Sequence, residues 1–366
     1  MNTTVLYPGT FSPPTLGHFD VVQRAAKIFP KIIILCSLNP DKDPMFNARE
    51  CKLMWQRCYK LPDNVSVLTF EEIQKAFDKD SIPVLIRGVR DGDDLKHEGE
   101  VMKLNKRLFN VTHYFYAMAD ENLAKISSSK VREMVQESNV MDLHKYVSPL
   151  VITAMWEKKF NLKNLIMVVG KPASGKSTFL NMVTVVDPSI VHINTDKYNR
   201  FFRRELEAFF GTNLLDVILN HEQELHDFIG EKWLNKLFED IAGVPPGSNV
   251  FLEIPYGMKS GKDFWKYVGG KVLYVGCDND DVIRERLRDR MTEFLEPLVD
   301  SIPDLKETDK IVQEHGMVLN TISTSKSLGE LQSLAENFVK FLHENETVFF
   351  EHTYWKKYVD DILNGR

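Results

Sequence analysis

Apolar runs of strand length alternate with helix-spaced patterns along most of the chain. Residues 3–7 read as a short strand, and FDVVQRAAKIF after them repeats apolar side chains at Val21, Val22, Ala25 and Ile28, the spacing of an amphipathic helix. KIIILCSL is almost continuously apolar, as strands are in a parallel sheet covered on both faces. A helix around 48–58, a strand at VSVLTF, a helix around 71–77 and a strand at PVLIRG continue the alternation. Pro149 opens a further helix, PLVITAMWEKKF. A second series then follows: strands LIMVV, IVHIN, NVFLEI, KVLYVGC and MVLNTIST, with a helical stretch of about 199–241 between the second and third. This rhythm predicts an α/β protein of two doubly wound parallel-sheet domains, 1–161 and 162–345. A helical, amphipathic tail, 346–366, carries Phe349, Phe350, Tyr354, Trp355 and Tyr358 and is expected to pack on the body or on a partner subunit.

Composition narrows the class of protein. At 366 residues, 43% hydrophobic and 27% charged, the chain supports two ordinary cores. A net charge of -6 gives no overall footprint for nucleic acid or an anionic membrane, so neither is expected as a partner. Cys36, Cys51, Cys58 and Cys277 are scattered without a CxxC pair, which predicts reduced thiols in a cytoplasmic protein. The start runs straight into VLYPG without a signal-peptide pattern, and no apolar run is long enough to span a bilayer.

Two glycine loops sit between a strand and a helix. The second, GKPASGKST, spaces Gly170, Gly175, Lys176 and Ser177 as a phosphate-cradling P-loop does. The glycines let backbone N–H groups point at a polyphosphate, Lys176 reaches the terminal phosphates, and Ser177, followed by Thr178, binds Mg²⁺, with ATP as the expected substrate. Asp196 ends the second strand of this half and could take a proton from a substrate hydroxyl or hold Mg²⁺. Glu253 ends the third strand at the same sheet edge and is a further metal candidate. A helix N-cap or a solvated acid is the plainer reading of each. Arg284, Arg286, Arg288 and Arg290 follow KVLYVGCD, where small-molecule kinases carry an arginine lid. Alternate positions cannot all face one way, so Arg286 and Arg290 are expected to reach ATP. With one P-loop and no NKxD-type guanine signature, this half reads as a small-metabolite kinase.

The first loop, YPGTFSPPTLGHFD, has Gly9 and Gly17 for close backbone approach, the Thr10 hydroxyl, and His18 at the start of a helix, where an anion is favoured. Taken alone, His18 also fits a helix-start histidine without chemical duty. The stretch resembles the T/HxGH nucleotidylyltransferase superfamily, and within it phosphopantetheine adenylyltransferase. YPGTFSPPTLGHFD is similar to that family's YPGTFDPxTxGHxD, and NPDKDPMF to SPxKKPMF. LIRGVRDGDDLKHE is similar to LIRGLRxxxDFEYE, and ISSSKVRE to ISSSxVRE. The resemblance covers residues 1–160, and it implies transfer of the adenylyl group of ATP to 4′-phosphopantetheine in coenzyme A biosynthesis. It further implies that Thr10 and Lys42 hold the acceptor phosphate and that Arg87 binds the pantetheine phosphate. His18 steadies charge on the α-phosphate, while Gly9, Phe11, Gly17, Arg90, Glu98 and Ser127, Ser128 and Ser129 meet ATP. Bacterial relatives are commonly hexameric, which leaves a homo-oligomer open.

Three departures stand out. Ser12 replaces the family's usual Asp, which predicts a looser loop or a lost Mg²⁺ contact. Asp43 follows Lys42 where a second lysine is usual, and NLAK stands where an aromatic-Ser pair usually precedes the ISSS turn. A kinase behind such a domain suggests dephospho-CoA as its acceptor, although the usual GGIGSGKS loop and DAD triplet of that kinase family are absent and INTDKY equally resembles polynucleotide-kinase-like and zeta-toxin-like proteins. Two other readings stay open. One is an NMN adenylyltransferase joined to a ribosylnicotinamide kinase, and the other a sensor that binds CoA or ATP without turnover.

Overall fold

The computed structural model describes residues 4–37, 44–76, 84–89, 111, 113–118, 120, 122–123, 126–254, 264–292 and 295–344. The chain divides into two compact units, Met1–Val151 and Ile152–Arg366. The division falls inside the helix Pro149–Lys159, earlier than the boundary expected after residue 161. The expected tail, 346–366, lies outside the described residues.

The first unit runs β1 (Thr4–Gly9), α1 (Leu16–Ala26), β2 (Lys31–Cys36), α2 (Ala48–Cys58), β3 (Val65–Thr69), α3 (Phe70–Ala76), β4 (Val84–Val89), β5 (His113–Met118), α4 (Ser128–Gln136) and the start of α5 (Pro149–Lys159). All strands are parallel, in the order β3-β2-β1-β4-β5. Val5, Leu6 and Ile32–Ile34 are fully buried in the middle of this sheet, as their continuous apolar runs require. α1 buries Val21, Val22 and Ala25. Ile28 does not join them: the helix ends at Ala26, and Ile28 is 61% exposed beyond it. β5, HYFYAM, is a strand that the hydrophobic pattern did not predict.

The second unit continues with β6 (Asn164–Val169), α6 (Lys176–Val186), β7 (Val191–Asn194), α7 (Asp196–Phe201), α8 (Arg203–Phe210), α9 (Leu214–Asn220), α10 (Glu222–Ala242) and β8 (Asn249–Glu253). It is completed by α11 (Trp265–Val268), β9 (Lys271–Gly276), α12 (Asp280–Asp289), α13 (Glu296–Ser301), α14 (Leu305–Glu314), β10 (Val318–Ser323) and α15 (Leu328–Glu344). Its sheet is again parallel, ordered β10-β9-β6-β8-β7. α15 covers one face, where Phe338 meets the rings of Phe179 and Phe251 at 5.9 and 5.8 Å.

Two polar clusters brace this unit. Lys271, 5% exposed, places Nζ 2.7 Å from Glu157 Oε1 and 3.0 Å from Asn164 Oδ1. Burial raises the Glu157 carboxyl above its ordinary value, opposed by the charge and the hydrogen bond of Lys271. Helices α8–α10 enclose a small core of their own, Leu206, Val217 and Leu225. Asp240 of α10 latches α7 by accepting from Tyr198 Oη at 2.7 Å and from Lys197 Nζ at 2.9 Å. Among the described residues no helix is long and apolar enough to cross a membrane.

Candidate active sites

In open parallel sheets, ligands gather at the carboxyl ends of the strands where the strand order reverses. In the first unit β1 is central, and its carboxyl end carries the glycine-rich loop. Gly9 closes the strand, and a Cβ there would lie 2.6 Å from the Phe11 ring. Phe11 takes a positive φ of 47°, which tucks its ring under the loop, 5.1 Å from the His18 imidazole and 5.3 Å from Trp55. Thr10 is half-buried between them in sequence, and Gly17 lies in the first turn of α1.

Thr15 caps α1, and its Oγ1 accepts from the backbone N–H of His18 at 3.4 Å. The imidazole returns the bond: Nδ1 accepts from the Thr15 backbone N–H at 3.1 Å and lies 3.0 Å from Thr15 Oγ1. This is a capping box with histidine in the place usually held by Glu or Gln. An Nδ1 that accepts a backbone proton puts the proton of the neutral ring on Nε2, so His18 offers an N–H donor at the amino end of a helix with no acidic residue in its first turn.

The ISSS turn is tied to the same loop. Ser127 caps α4 by accepting from Lys130 N–H, and Ser128 Oγ donates to Pro13 O at 2.8 Å. Arg132, which the sequence reading did not single out, donates to Ser12 O at 2.6 Å and to Ser129 Oγ at 3.3 Å. The structure therefore brings the opening loop and the serine turn together, although more than a hundred residues separate them. Ser12 is 1% exposed and accepts from Phe46 N–H at 2.8 Å, so the serine keeps a loop-to-loop bond where a looser loop was expected. Arg87 of β4 donates to Pro8 O at 3.0 Å, bracing the end of β1. Lys42, Asp43, Arg90 and Glu98 lie outside the described residues.

In the second unit the other glycine loop follows β6. Gly170 has φ +150°, and a Cβ there would lie 2.1 Å from Val275 O; Gly175 has φ +96° and faces Thr324. Both positions need glycine. Lys176 Nζ donates to Gly170 O and Lys171 O at 2.9 and 3.0 Å. Burial holds its ammonium below the ordinary lysine value, against the opposing charges of Glu253 and Asp196, and Arg290 adds to the lowering. Thr178 occupies the first turn of α6.

Glu253, 3% exposed at the end of β8, accepts from Ser177 Oγ at 2.8 Å and from His192 Nε2 at 2.8 Å. Burial pushes its carboxyl up, but the His192 and Ser177 bonds and the Lys176 charge outweigh that, and it ends below the ordinary carboxylate value. Asp196, the first residue of α7, goes the other way: desolvation raises its carboxyl, and Glu253 adds to the rise while Lys176 and Arg200 oppose it. Two acids at one strand edge are thus separated in proton affinity, the pattern that divides a held anion from a proton acceptor.

The arginines also divide. Arg286 donates to Ala173 O, Thr324 Oγ1 and Thr324 O at 3.2–3.4 Å, so it clamps the glycine loop to the segment after β10. Arg284 pairs with Asp300 at 2.8 Å. Arg290, at the end of α12, is close enough for its charge to lower Lys176. Among the described residues no group of three or more His, Cys, Asp or Glu forms a metal cage. Ser177 and Asp196, both exposed at helix starts, carry oxygen donors of the kind Mg²⁺ takes.

A parallel sheet ordered 3-2-1-4-5, a glycine loop after its central strand and a donor histidine at the following helix define a Rossmann-like nucleotidyltransferase domain in the first unit. The profile of the cytidylyltransferase-like family matches residues 6–134. The phosphopantetheine adenylyltransferase of Mannheimia succiniciproducens is 34% identical over 160 residues, 43% of this chain and 99% of that protein. That of Pasteurella multocida is 35% identical over 162 residues, 44% of this chain and 98% of its own length. Through its amino-terminal part, the chain belongs to the phosphopantetheine adenylyltransferase family. These alignments span no more than 44% of the chain and leave most of the second unit unmatched. A solved structure described as NadR protein in complex with NR shares 15% identity over 88% of this chain and 98% of that one, with a TM-score of 0.31, a likeness too slight to bear on either unit's activity.

Proposed function

We propose that the first unit transfers the adenylyl group of ATP to 4′-phosphopantetheine, giving dephospho-CoA and pyrophosphate. The second unit, in this reading, uses ATP to phosphorylate a small-molecule hydroxyl, with dephospho-CoA as the acceptor that would join the two steps. The observation that carries the first step is the roughly one-third identity to phosphopantetheine adenylyltransferases along almost their whole length. In the reaction, an acceptor phosphate oxygen forms a bond to the α-phosphorus of ATP while the bond from that phosphorus to the β-phosphate bridge breaks. The acceptor brings its own nucleophile, so the protein supplies position and charge stabilisation. His18, its Nε2 proton fixed by the Thr15 bond, donates to the α-phosphate as charge grows there. Thr10, Arg87 and Lys42 are assigned to the acceptor side. Gly9, Phe11, Gly17, Ser127, Ser128, Ser129, Arg90 and Glu98 are assigned to ATP.

For the second unit, the support is a P-loop whose lysine and serine face two acids of opposite pKa tendency. Asp196, raised by desolvation, suits the acceptance of a hydroxyl proton, and Lys176 and Arg290 suit the transferred phosphate. Ser177 and Asp196 would hold a Mg²⁺ ion arriving with the nucleotide, which would supply positive charge against the phosphates. The test is pyrophosphate release and product mass with Mg·ATP and 4′-phosphopantetheine, and in parallel with NMN. Dephospho-CoA supports the proposal. A dinucleotide from NMN alone replaces it with the nicotinamide reading, and tight ligand binding with no product in either arm replaces it with a sensor.

A further inference from the structure

The carboxylate of Glu253 is engaged on both oxygens by three neighbouring side chains. Ser177 Oγ lies 2.8 Å from Oε1 and 3.1 Å from Oε2, His192 Nε2 lies 2.8 Å from Oε2, and Asn194 Nδ2 lies 3.4 Å from the same oxygen. His192 and Asn194 are two apart on β7, so they stand on one face of the strand, and Asn194 is in register with Glu253. Backbone pairing already joins β7 to β8 from Val191 to Asn194, so the side-chain bonds are not needed to hold the strands together.

A serine hydroxyl has one proton and two lone pairs. With the proton committed to Glu253, the oxygen turns its lone pairs away from the carboxylate, and Ser177 is the exposed member of this group. Outer-shell partners of this kind orient the groups that meet a cation. Resting on the reading of the second unit as an ATP-dependent kinase, we propose that His192 is a positioning residue. With Asn194 it fixes Glu253 in the rotamer that takes the Ser177 proton, so that the Ser177 oxygen is presented to the divalent cation that accompanies ATP. Glu253 then acts through Ser177 rather than as a direct metal ligand.

The experiment uses the full chain and follows, by calorimetry, the ATP-binding event that Lys176→Ala removes, with and without Mg²⁺. His192→Phe fills the ring volume without a donor, and His192→Gln restores an N–H toward the same oxygen. In His192→Phe the tightening of ATP binding by Mg²⁺ is expected to shrink by roughly 10- to 100-fold, the range for lost outer-shell partners. Metal-free ATP affinity should stay within about twofold, and His192→Gln should recover most of the loss. A Mg²⁺ effect as large in His192→Phe as in the parent chain overturns the inference while leaving the kinase reading in place. So does a parallel loss of affinity with and without the metal. A parent chain with no Lys176-dependent ATP binding removes the kinase reading, and this inference with it.

Discussion

His18→Ala should separate two duties that one side chain performs. The first is structural: Thr15 is 1% exposed, and its backbone N–H bonds His18 Nδ1. Truncation leaves that buried donor without its acceptor, at a cost of about 1–3 kcal/mol. For a unit of this size such a loss lowers the melting temperature by roughly 2–4 °C per kcal/mol. The second duty is chemical. Removing a preorganised donor to developing charge costs about 10²–10³ in kcat, or about 2.7–4 kcal/mol. His18→Asn places an amide oxygen where it can accept from Thr15 N–H again, so most of the melting temperature should return while kcat stays low. The assay is pyrophosphate release at saturating ATP and 4′-phosphopantetheine, alongside melting followed by circular dichroism. An unchanged kcat in His18→Ala removes this residue from the reaction. Recovery of kcat in step with stability in His18→Asn would show that the capping box alone explains the loss.

Three further outcomes follow from the second unit. Lys176→Ala should abolish the phosphorylation step and leave pyrophosphate release from the first unit within about twofold; loss of both in a folded chain would contradict separable sites. Lys271→Met strands Glu157 in a buried site, which should destabilise the second unit by about 3–5 kcal/mol in denaturant titration, and a cost below about 1 kcal/mol would refute the buried pair. Asp240 has a carboxyl lowered to about 2 from 3.8: burial opposes the shift, while Tyr198, Lys197 and Lys236 drive it. A depressed carboxyl adds stability above its unfolded value and loses it as pH falls toward the folded one, so between about pH 4 and 2 the parent should lose stability that Asp240→Asn never had. Identical acid limbs for the two would remove the latch.

Much of this architecture was legible because continuous apolar runs, such as those of β2 and β9, leave little choice of element, and glycine loops after β1 and β6 announce themselves by spacing. What escaped needed neighbours. β5 is aromatic and only half-buried along most of its length, without the alternation that marks a strand. Ile28 continues the helical spacing on paper, but α1 ends before it. Arg286 reads as a lid residue until β10 is seen beside β9, which puts Thr324 within its reach. His192 carries no motif and Asn194 is an unremarked member of INTDKY, and only the β7–β8 register sets them on Glu253. Arg132 sat inside a recognised motif, and its bond to Ser12 depends on two loops remote in sequence meeting. Thr15 and His18 were visible as a helix start, yet the reciprocal bond that sets the imidazole proton is a matter of geometry.

The central claim is that the first unit moves the adenylyl group and the second does not. ATP radiolabelled at the α-phosphate, incubated with the chain, Mg²⁺ and 4′-phosphopantetheine, tests it directly. The label should appear in dephospho-CoA or a product derived from it, persist there in Lys176→Ala, and fall by at least about a hundredfold in His18→Ala. Label confined to ADP, or lost from the product in Lys176→Ala but not in His18→Ala, would contradict it.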